Sequence, residues 1–170
     1  MIYCLILSIA VVLLDQISKI IVVNTMELGE VIPVIKNVFN LTYIENRGAA
    51  FGMLSEQRWI FMIVSVVAIV AIFLFIWKEK PRSMWIKSCL GAIVGGGIGN
   101  MIDRVFRGSV VDFIDADFVQ YPHPSFEGGF KLTMTDFPIF NVADVCLTVG
   151  AAIVAVYIVF FAPRDDGAGR

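Results

Sequence analysis

The run Ile60–Trp77, with the sequence IFMIVSVVAIVAIFLFIW, decides the fold of this chain. It contains no charged side chain, and it approaches the length of about 20 residues at which a helix crosses the hydrocarbon core of a bilayer. A second run without charge, Val145–Ala162, has the same character. Of all 170 residues, 58% are hydrophobic and 16% are charged, whereas a soluble domain is about half apolar and about a quarter charged. This composition, with a mean hydropathy of +0.83, predicts an α-helical membrane protein.

Four membrane-spanning helices are predicted, at about residues 2–23, 59–77, 86–102 and 142–162. Polar side chains interrupt the first of them, and the third is short and rich in glycine. The first span lacks a basic leading region and a small-residue cleavage site, so we interpret it as a retained helix and not as a signal peptide. The prediction is a single integral membrane domain over residues 1–170.

The connection between the second and third spans, KEKPRSMWIK at 78–87, carries four basic residues. Short basic loops stay on the cytoplasmic side of a membrane. With four spans, both termini are then cytoplasmic, which agrees with Arg164 and Arg170 after the last span. The two longer connections, at about 24–58 and 103–141, face the extracytoplasmic side.

Within these outer segments the pattern predicts a small β-sheet, a cradle at the membrane surface. Val38–Glu45 alternates well enough for a strand, and Asn46-Arg47-Gly48 supplies turn chemistry after it. Val110–Ile114 is a second candidate strand. The stretch Asp115–Asp136 has the composition of an exposed excursion.

Several classes of site are not expected. A net charge of −2 without a basic stripe argues against nucleic-acid binding. The odd number of cysteines, and their position inside the spans, argue against a disulfide framework or a zinc cluster and favour apolar packing. His123, the only histidine, has no ligand set or nucleophile beside it in the sequence, so no metal site and no cofactor are expected.

Two carboxylates at the edges of the spans, Asp112 and Asp144, are the candidate catalytic residues. An ionisable group near hydrocarbon is costly and marks function by default. Two acids held together would titrate as a coupled pair, with one protonated and one ionised near neutral pH, which is the condition that an aspartyl hydrolase needs.

Asp144 also has a purely structural interpretation. Asn141 is a good N-cap for the fourth helix, and Asp144 falls at position N3 of a capping box. The two roles are compatible, because free amides at a helix N-terminus favour the ionised carboxylate. Asp112 lies among apolar neighbours and would hold a proton more readily. The pattern therefore predicts Asp144 as base and Asp112 as initial acid.

Polar residues on the third span could support such a site. Asn100, Asp103 and Arg104 follow one another at i, i+3 and i+4 near its outer end. They could be scaffolding for the site, or Asp103 and Arg104 could form only a structural ion pair. Glycines 91, 95 and 99 share a helix face and predict close packing against another helix.

Two further phrases leave alternatives open. Asp15 and Lys19 lie one helical turn apart, either as part of the site or as a pair whose ends reach toward water without function. In the phrase ENRGAAFG at 45–52, Asn46 and Gly48 could receive an extended peptide backbone, or the phrase could be an ordinary turn.

Five phrases occur in a specific order along the four spans: Asp15-Gln-Ile-Ser-Lys19, Asn46-Arg-Gly-Ala-Ala-Phe51, Gly99-Asn-Met-Ile-Asp-Arg104, Val110-Val-Asp-Phe113 and Phe137-Pro-Ile-Phe-Asn-Val-Ala-Asp144. In this order they resemble the bacterial lipoprotein signal peptidases, also called signal peptidase II. The resemblance covers nearly the whole chain. Only the segment around 121–134 is longer than is usual in that family.

The resemblance implies a multi-pass aspartyl endopeptidase of the bacterial cell membrane with four helices and a small extracytoplasmic β-cradle. Its partners would be membrane lipid and diacylated prolipoproteins, which it would cleave just before the lipid-modified cysteine without metal or cofactor. Asp112 and Asp144 match the catalytic dyad. Further residues match positions that line or brace the site: Asp15, Lys19, Asn46, Gly48, Asn100, Asp103, Arg104 and Asn141.

Two other classes of function fit parts of the pattern. An ion-coupled carrier would use Asp15, Asp112 and Asp144 as relay sites, but it would distribute polar groups through the depth of the membrane. An assembly factor would use the glycine face of the third span and would leave the outer polar phrases without a role. The clustering of the acids on one side favours the peptidase.

Overall fold

The computed structural model describes residues 2–36, 38–48, 58–81, 83–116 and 137–161. In chain order these form α1 (Ile2–Thr25), β1 (Val31–Ile35), β2 (Phe39–Asn46), α2 (Arg58–Glu79), α3 (Met84–Phe106), β3 (Val110–Ala116) and α4 (Val142–Phe160). His123 and nearly all of the predicted excursion lie outside the described residues.

Three of the helices, α1, α2 and α4, are long and apolar enough to cross a membrane. The helix α3 is equally long, but its glycines and the polar group near its C-terminal end lower its hydropathy. It lies at the centre of the helices and packs against all three others. Span-length helices are therefore present at all four predicted places, while the count of four spans stays a prediction.

Glycines allow α3 to approach α1 closely. A Cβ built on Gly91 would lie 2.6 Å from the carbonyl oxygen of Cys4, and one on Gly95 would lie 2.7 Å from that of Ser8. The Ser8 hydroxyl donates across the same contact to the carbonyl oxygen of Gly91, at 2.8 Å. The predicted packing role of this glycine face is confirmed.

The three strands form one antiparallel sheet in the order β1-β2-β3. Both predicted strands are confirmed, as β2 and β3. The first strand was not predicted, because Pro33 in the middle of an apolar run argues against a strand unless that strand lies at an edge, which β1 does. Side chains of β2 and β3 pack with the C-terminal end of α1 in one cluster: Val22, Met26, Tyr43, Val111 and Phe113.

A β-bulge in β2 decides which of its side chains lie on the same face of the sheet as Asp112. Leu41 pairs with Ile114 and Ile44 pairs with Asp112, so two residues of β2 stand opposite one of β3. The extra residue reverses the alternation of side chains along the rest of β2. As a result Asn46, and not Glu45, lies on the same face as Asp112.

Candidate active site

A short backbone pairing brings the two aspartates into one site. The amide of Ile114 in β3 donates to the carbonyl oxygen of Phe140 at 2.7 Å, and the amide of Phe140 donates back to Ile114 at 3.0 Å. This bridge attaches the segment before α4 to the strand that carries Asp112. The N-terminus of α4, with Asp144 in its first turn, therefore lies beside Asp112.

Asn141 contacts both aspartates directly. Its side-chain amide donates to Oδ1 of Asp112 at 2.6 Å. Its side-chain oxygen accepts from the backbone amide of Asp144 at 3.0 Å, and its own backbone amide donates to Oδ2 of Asp144 at 3.2 Å. The last two bonds form a capping box, so the predicted capping role of both residues is confirmed. Asn141 is fully buried and serves as helix cap and as bridge between the carboxylates.

Two further asparagines hold the remaining carboxylate oxygens. Asn46 donates to Oδ2 of Asp112 at 2.9 Å, and Asn100 donates to Oδ1 of Asp144 at 2.8 Å. Asn46 is itself fixed, because its side-chain oxygen accepts from the amide of Gly48 at 3.0 Å. Together with the bridging asparagine, these contacts give each of the four carboxylate oxygens an amide donor, so both carboxylates are fixed in orientation.

Both aspartates line a cavity of about 670 Å³ between α2, α3, α4 and the sheet. Its charged and amide side chains are Asn46, Asn100, Arg104, Asp112 and Asp144, and Ser65 and Thr148 add hydroxyl groups. The rest of the wall is mainly apolar and includes Phe61, Val64, Ile69, Ile93 and Leu147. The cavity therefore joins a pair of carboxylates to a surface suited to a hydrophobic ligand.

Burial, together with the negative charge of Asp144, raises the pKa of Asp112 to about 7, against the amide donors Asn46 and Asn141 and the positive charge of Lys19, which lower it. Asp112 is only 2% exposed, whereas Asp144 is half-buried in the cavity wall. Near neutral pH a substantial fraction of Asp112 is therefore protonated and can donate a proton.

Arg104 lines the cavity, but its nearest partners do not include Asp103, with which an ion pair was one interpretation. Its Nη1 donates to the carbonyl oxygen of Asn100 at 3.2 Å, and its guanidinium lies 5.1 Å from the centroid of the Phe61 ring. Asp103 pairs with Lys19 at 2.9 Å and with Arg107 at 3.5 Å. The alternative of a structural Asp103–Arg104 ion pair is therefore wrong.

Asp15, Lys19 and Asp103 lie behind the cavity and do not line it. Lys19 forms salt bridges of 2.8 Å with Asp15 and 2.9 Å with Asp103, and all three side chains are 0% exposed. The alternative in which Asp15 and Lys19 reach toward water is wrong, because α3 supplies buried partners that the spacing on α1 does not reveal.

Two neighbours of the site were not predicted. Gln16 donates to Oδ2 of Asp15 at 3.1 Å and to the carbonyl oxygen of Gly99 at 3.2 Å. A polar residue beside Asp15 in an otherwise apolar span could have indicated that Gln16 belongs near the site. Phe61 is one of many apolar residues of α2, and nothing in the sequence distinguishes it.

A family model and curated relatives of similar sequence point to one family. A family model described as Signal peptidase (SPase) II matches residues 7–160. The lipoprotein signal peptidase of Geobacillus kaustophilus is 45% identical over 158 residues, which cover 93% of this chain and 94% of the relative. That of Halothermothrix orenii is 38% identical over the same fractions of the two chains. A solved bacterial membrane enzyme is similar in fold, with a TM-score of 0.77 and 32% identity over 93% of each chain.

Proposed function

The chain belongs to the signal peptidase II family, and from this premise we propose that it is an aspartyl endopeptidase that cleaves diacylglyceryl-modified prolipoproteins immediately before the lipidated cysteine. The observation that carries the proposal is that Asp112 and Asp144 line one cavity and are bridged by the amide group of Asn141. Within that pair, Asp144 is the base and Asp112 is the initial acid.

The division of roles follows from the surroundings of the two carboxylates. Asp144 is half-buried in the first turn of α4, where it accepts from a backbone amide and from Asn100. Asp112 is nearly fully buried on β3, where its pKa is raised to about 7. Asp112 is thus suited to the role of acid at neutral pH, and Asp144 is left as the base of the pair.

In the proposed reaction, ionised Asp144 takes a proton from a water molecule that attacks the scissile carbonyl carbon. Protonated Asp112 donates to the carbonyl oxygen as negative charge develops there. As the C–N bond breaks, the proton held by Asp144 passes to the leaving nitrogen. Asp112 takes its proton back from the hydroxyl oxygen as the C=O bond re-forms, which regenerates the pair. Fixed amide donors on every carboxylate oxygen limit the reorganisation that these transfers require.

The apolar part of the cavity accounts for the proposed substrate. Its walls come from α2, α3 and α4, where the hydrophobic region of a signal peptide or the acyl chains of a diacylglyceryl group could be buried. Burial of acyl chains contributes about 0.8 kcal/mol per CH₂, so the lipid is a strong recognition element. Membrane lipid and lipidated precursors are therefore the proposed partners, and nucleic acid is not.

The proposed topology makes residues 1–170 one multi-pass domain of the bacterial cell membrane, with α3 as a fourth span. Its buried polar side chains, Asn100 and Asp103, contact α1, α4 and the sheet. Exposed aromatic residues, Trp85 and Phe106, lie near its two ends. The basic connection at 78–87 supports a topology with both termini in the cytoplasm and the aspartates on the extracytoplasmic side.

The proposal is tested with the purified protein in lipid nanodiscs and two forms of one precursor, with and without the diacylglyceryl group. We expect mass spectrometry to show cleavage of the lipidated form only, immediately before the modified cysteine. An ion-coupled carrier would leave both forms intact. Equal cleavage of the two forms, or cleavage at another bond, would contradict the proposed specificity.

A further inference from the structure

Two buried acids outside the cavity each hold a backbone amide next to one of the proposed catalytic residues. Oδ1 of Asp15 accepts from the amide of Ala143 at 3.0 Å, one residue before Asp144. Oδ2 of Asp103 accepts from the amide of Val111 at 3.3 Å, one residue before Asp112. The backbone at each aspartate is thus attached to a different transmembrane helix, α1 or α3.

Lys19 joins these two attachments. Its ammonium group lies 2.8 Å from Asp15 and 2.9 Å from Asp103, and it also donates to Oδ1 of Asn100 at 3.0 Å. Asn100 in turn donates to Asp144. One buried cation therefore connects the supports of both carboxylates.

The cost of this cluster argues that it does more than hold α1 against α3. Three ionisable groups that are 0% exposed carry a large desolvation penalty, and well-packed apolar residues often stabilise a protein as much or more. The two helices already approach closely at Gly91 and Gly95, without any charge at that contact.

We propose that Lys19 is a positioning residue for the peptidase reaction, and that Asp15, Lys19 and Asp103 form a clamp that sets the separation of the Asp112 and Asp144 carboxylates. This inference rests on the proposed function. It assigns the clamp no contact with substrate, because none of its three residues lines the cavity described above.

The separation of the carboxylates controls how strongly they influence each other's titration. If the clamp loosens, their coupling weakens, which brings the acid and alkaline limbs of the pH profile of kcat closer together. Loss of the Lys19 charge also raises the pKa of Asp112 and moves the alkaline limb up, so the width of the profile changes. A loss of folded protein would scale the whole profile and leave its width unchanged. The charged groups around the pair are Asp15 and Lys19 from α1, Asp103, Arg104 and the adjoining Arg107 from α3, and Glu45 on the neighbouring β2.

The test compares Lys19→Met with Ser8→Ala, which removes another buried polar contact between the same two helices. We expect Lys19→Met to lower kcat about 100-fold, the effect of a misplacement of roughly 1 Å, with little change in KM and a pH profile of changed width. Ser8→Ala should keep the wild-type kcat per folded molecule and the wild-type width of the profile.

Lys19→Met leaves two buried acids without their cation, and this variant could therefore fail to fold. A second variant keeps the proposal testable in that case. In Asp15→Asn/Lys19→Met/Asp103→Asn, the amide oxygens can still accept from Ala143 and Val111, but no charge links them. We expect this neutral variant to accumulate in the membrane and to retain the low kcat and the changed width of the profile.

A wild-type kcat and profile width in either variant would overturn the clamp. So would failure of both variants to accumulate while Ser8→Ala accumulates, because the cluster would then serve the fold. The wild-type protein separates this outcome from a failure of the proposed function: if it does not cleave the diacylated precursor, the peptidase assignment fails first.

Discussion

Replacing either carboxylate, in Asp112→Asn or Asp144→Asn, will abolish cleavage of a diacylated precursor while the protein still accumulates in the membrane. Each variant removes one of two proton-transfer groups that act as a unit, so we expect kcat to fall by more than about 10⁴-fold. The amides are nearly isosteric with the carboxyls, and an asparagine at position 144 keeps a polar group in the first turn of α4. Single-turnover cleavage in nanodiscs, with membrane abundance measured in parallel, gives the result.

Asp115 provides the matched control on the same strand. Its carboxylate accepts from Thr42 at 2.7 Å and is not among the residues that line the cavity. Asp115→Asn should therefore keep kcat within about threefold of the wild type, as expected of a substitution away from the reacting groups. Near-normal processing by Asp112→Asn or Asp144→Asn would rule out the dyad.

The second large effect is expected at Asn141, where capping and bridging can be separated. Serine is also a good N-cap, so Asn141→Ser should preserve the stability of α4 to within a few tenths of a kcal/mol. It lacks the amide donor that reaches Asp112. We expect kcat to fall between about 10²- and 10⁴-fold, the range for misplaced reacting groups and lost orienting partners. Measurement of kcat together with the melting temperature separates the two roles.

Ser83→Ala controls for the loss of a cap without the loss of a bridge. Ser83 caps α3 at the end opposite to Asn100. Its removal should cost about 1 kcal/mol of stability and leave kcat unchanged. A wild-type kcat in Asn141→Ser would show that the contact with Asp112 has no catalytic consequence.

Local features of the site could be predicted from the sequence because they depend on short spacings. The capping box needs only Asn141 and Asp144 three residues apart at the start of an apolar helix. The uncharged runs likewise gave the positions of α2 and α4, since helix length in a membrane is set by the bilayer.

Other features depend on partners that are distant in sequence. The spacing of Asp15 and Lys19 indicated a pair, but their burial comes from Asp103 and Asn100 on α3. The approach of Asn46 to Asp112 depends on the β-bulge in β2, which no glycine marks in the sequence. These contacts follow from tertiary packing, which overrides the local pattern.

The titration of the Asp112 carboxyl, with and without the charge of Asp144, is the most direct test that the two residues form one coupled pair. Isotope-labelled aspartate in nanodiscs, assigned by its absence in Asp112→Asn, can be followed by infrared spectroscopy or NMR. In the wild type we expect this carboxyl to titrate near pH 7. In Asp144→Asn we expect a lower pH, because the negative neighbour that raises the pKa is gone. A carboxyl that titrates at the same pH in both proteins, or in the ordinary acidic range in the wild type, would contradict the pair.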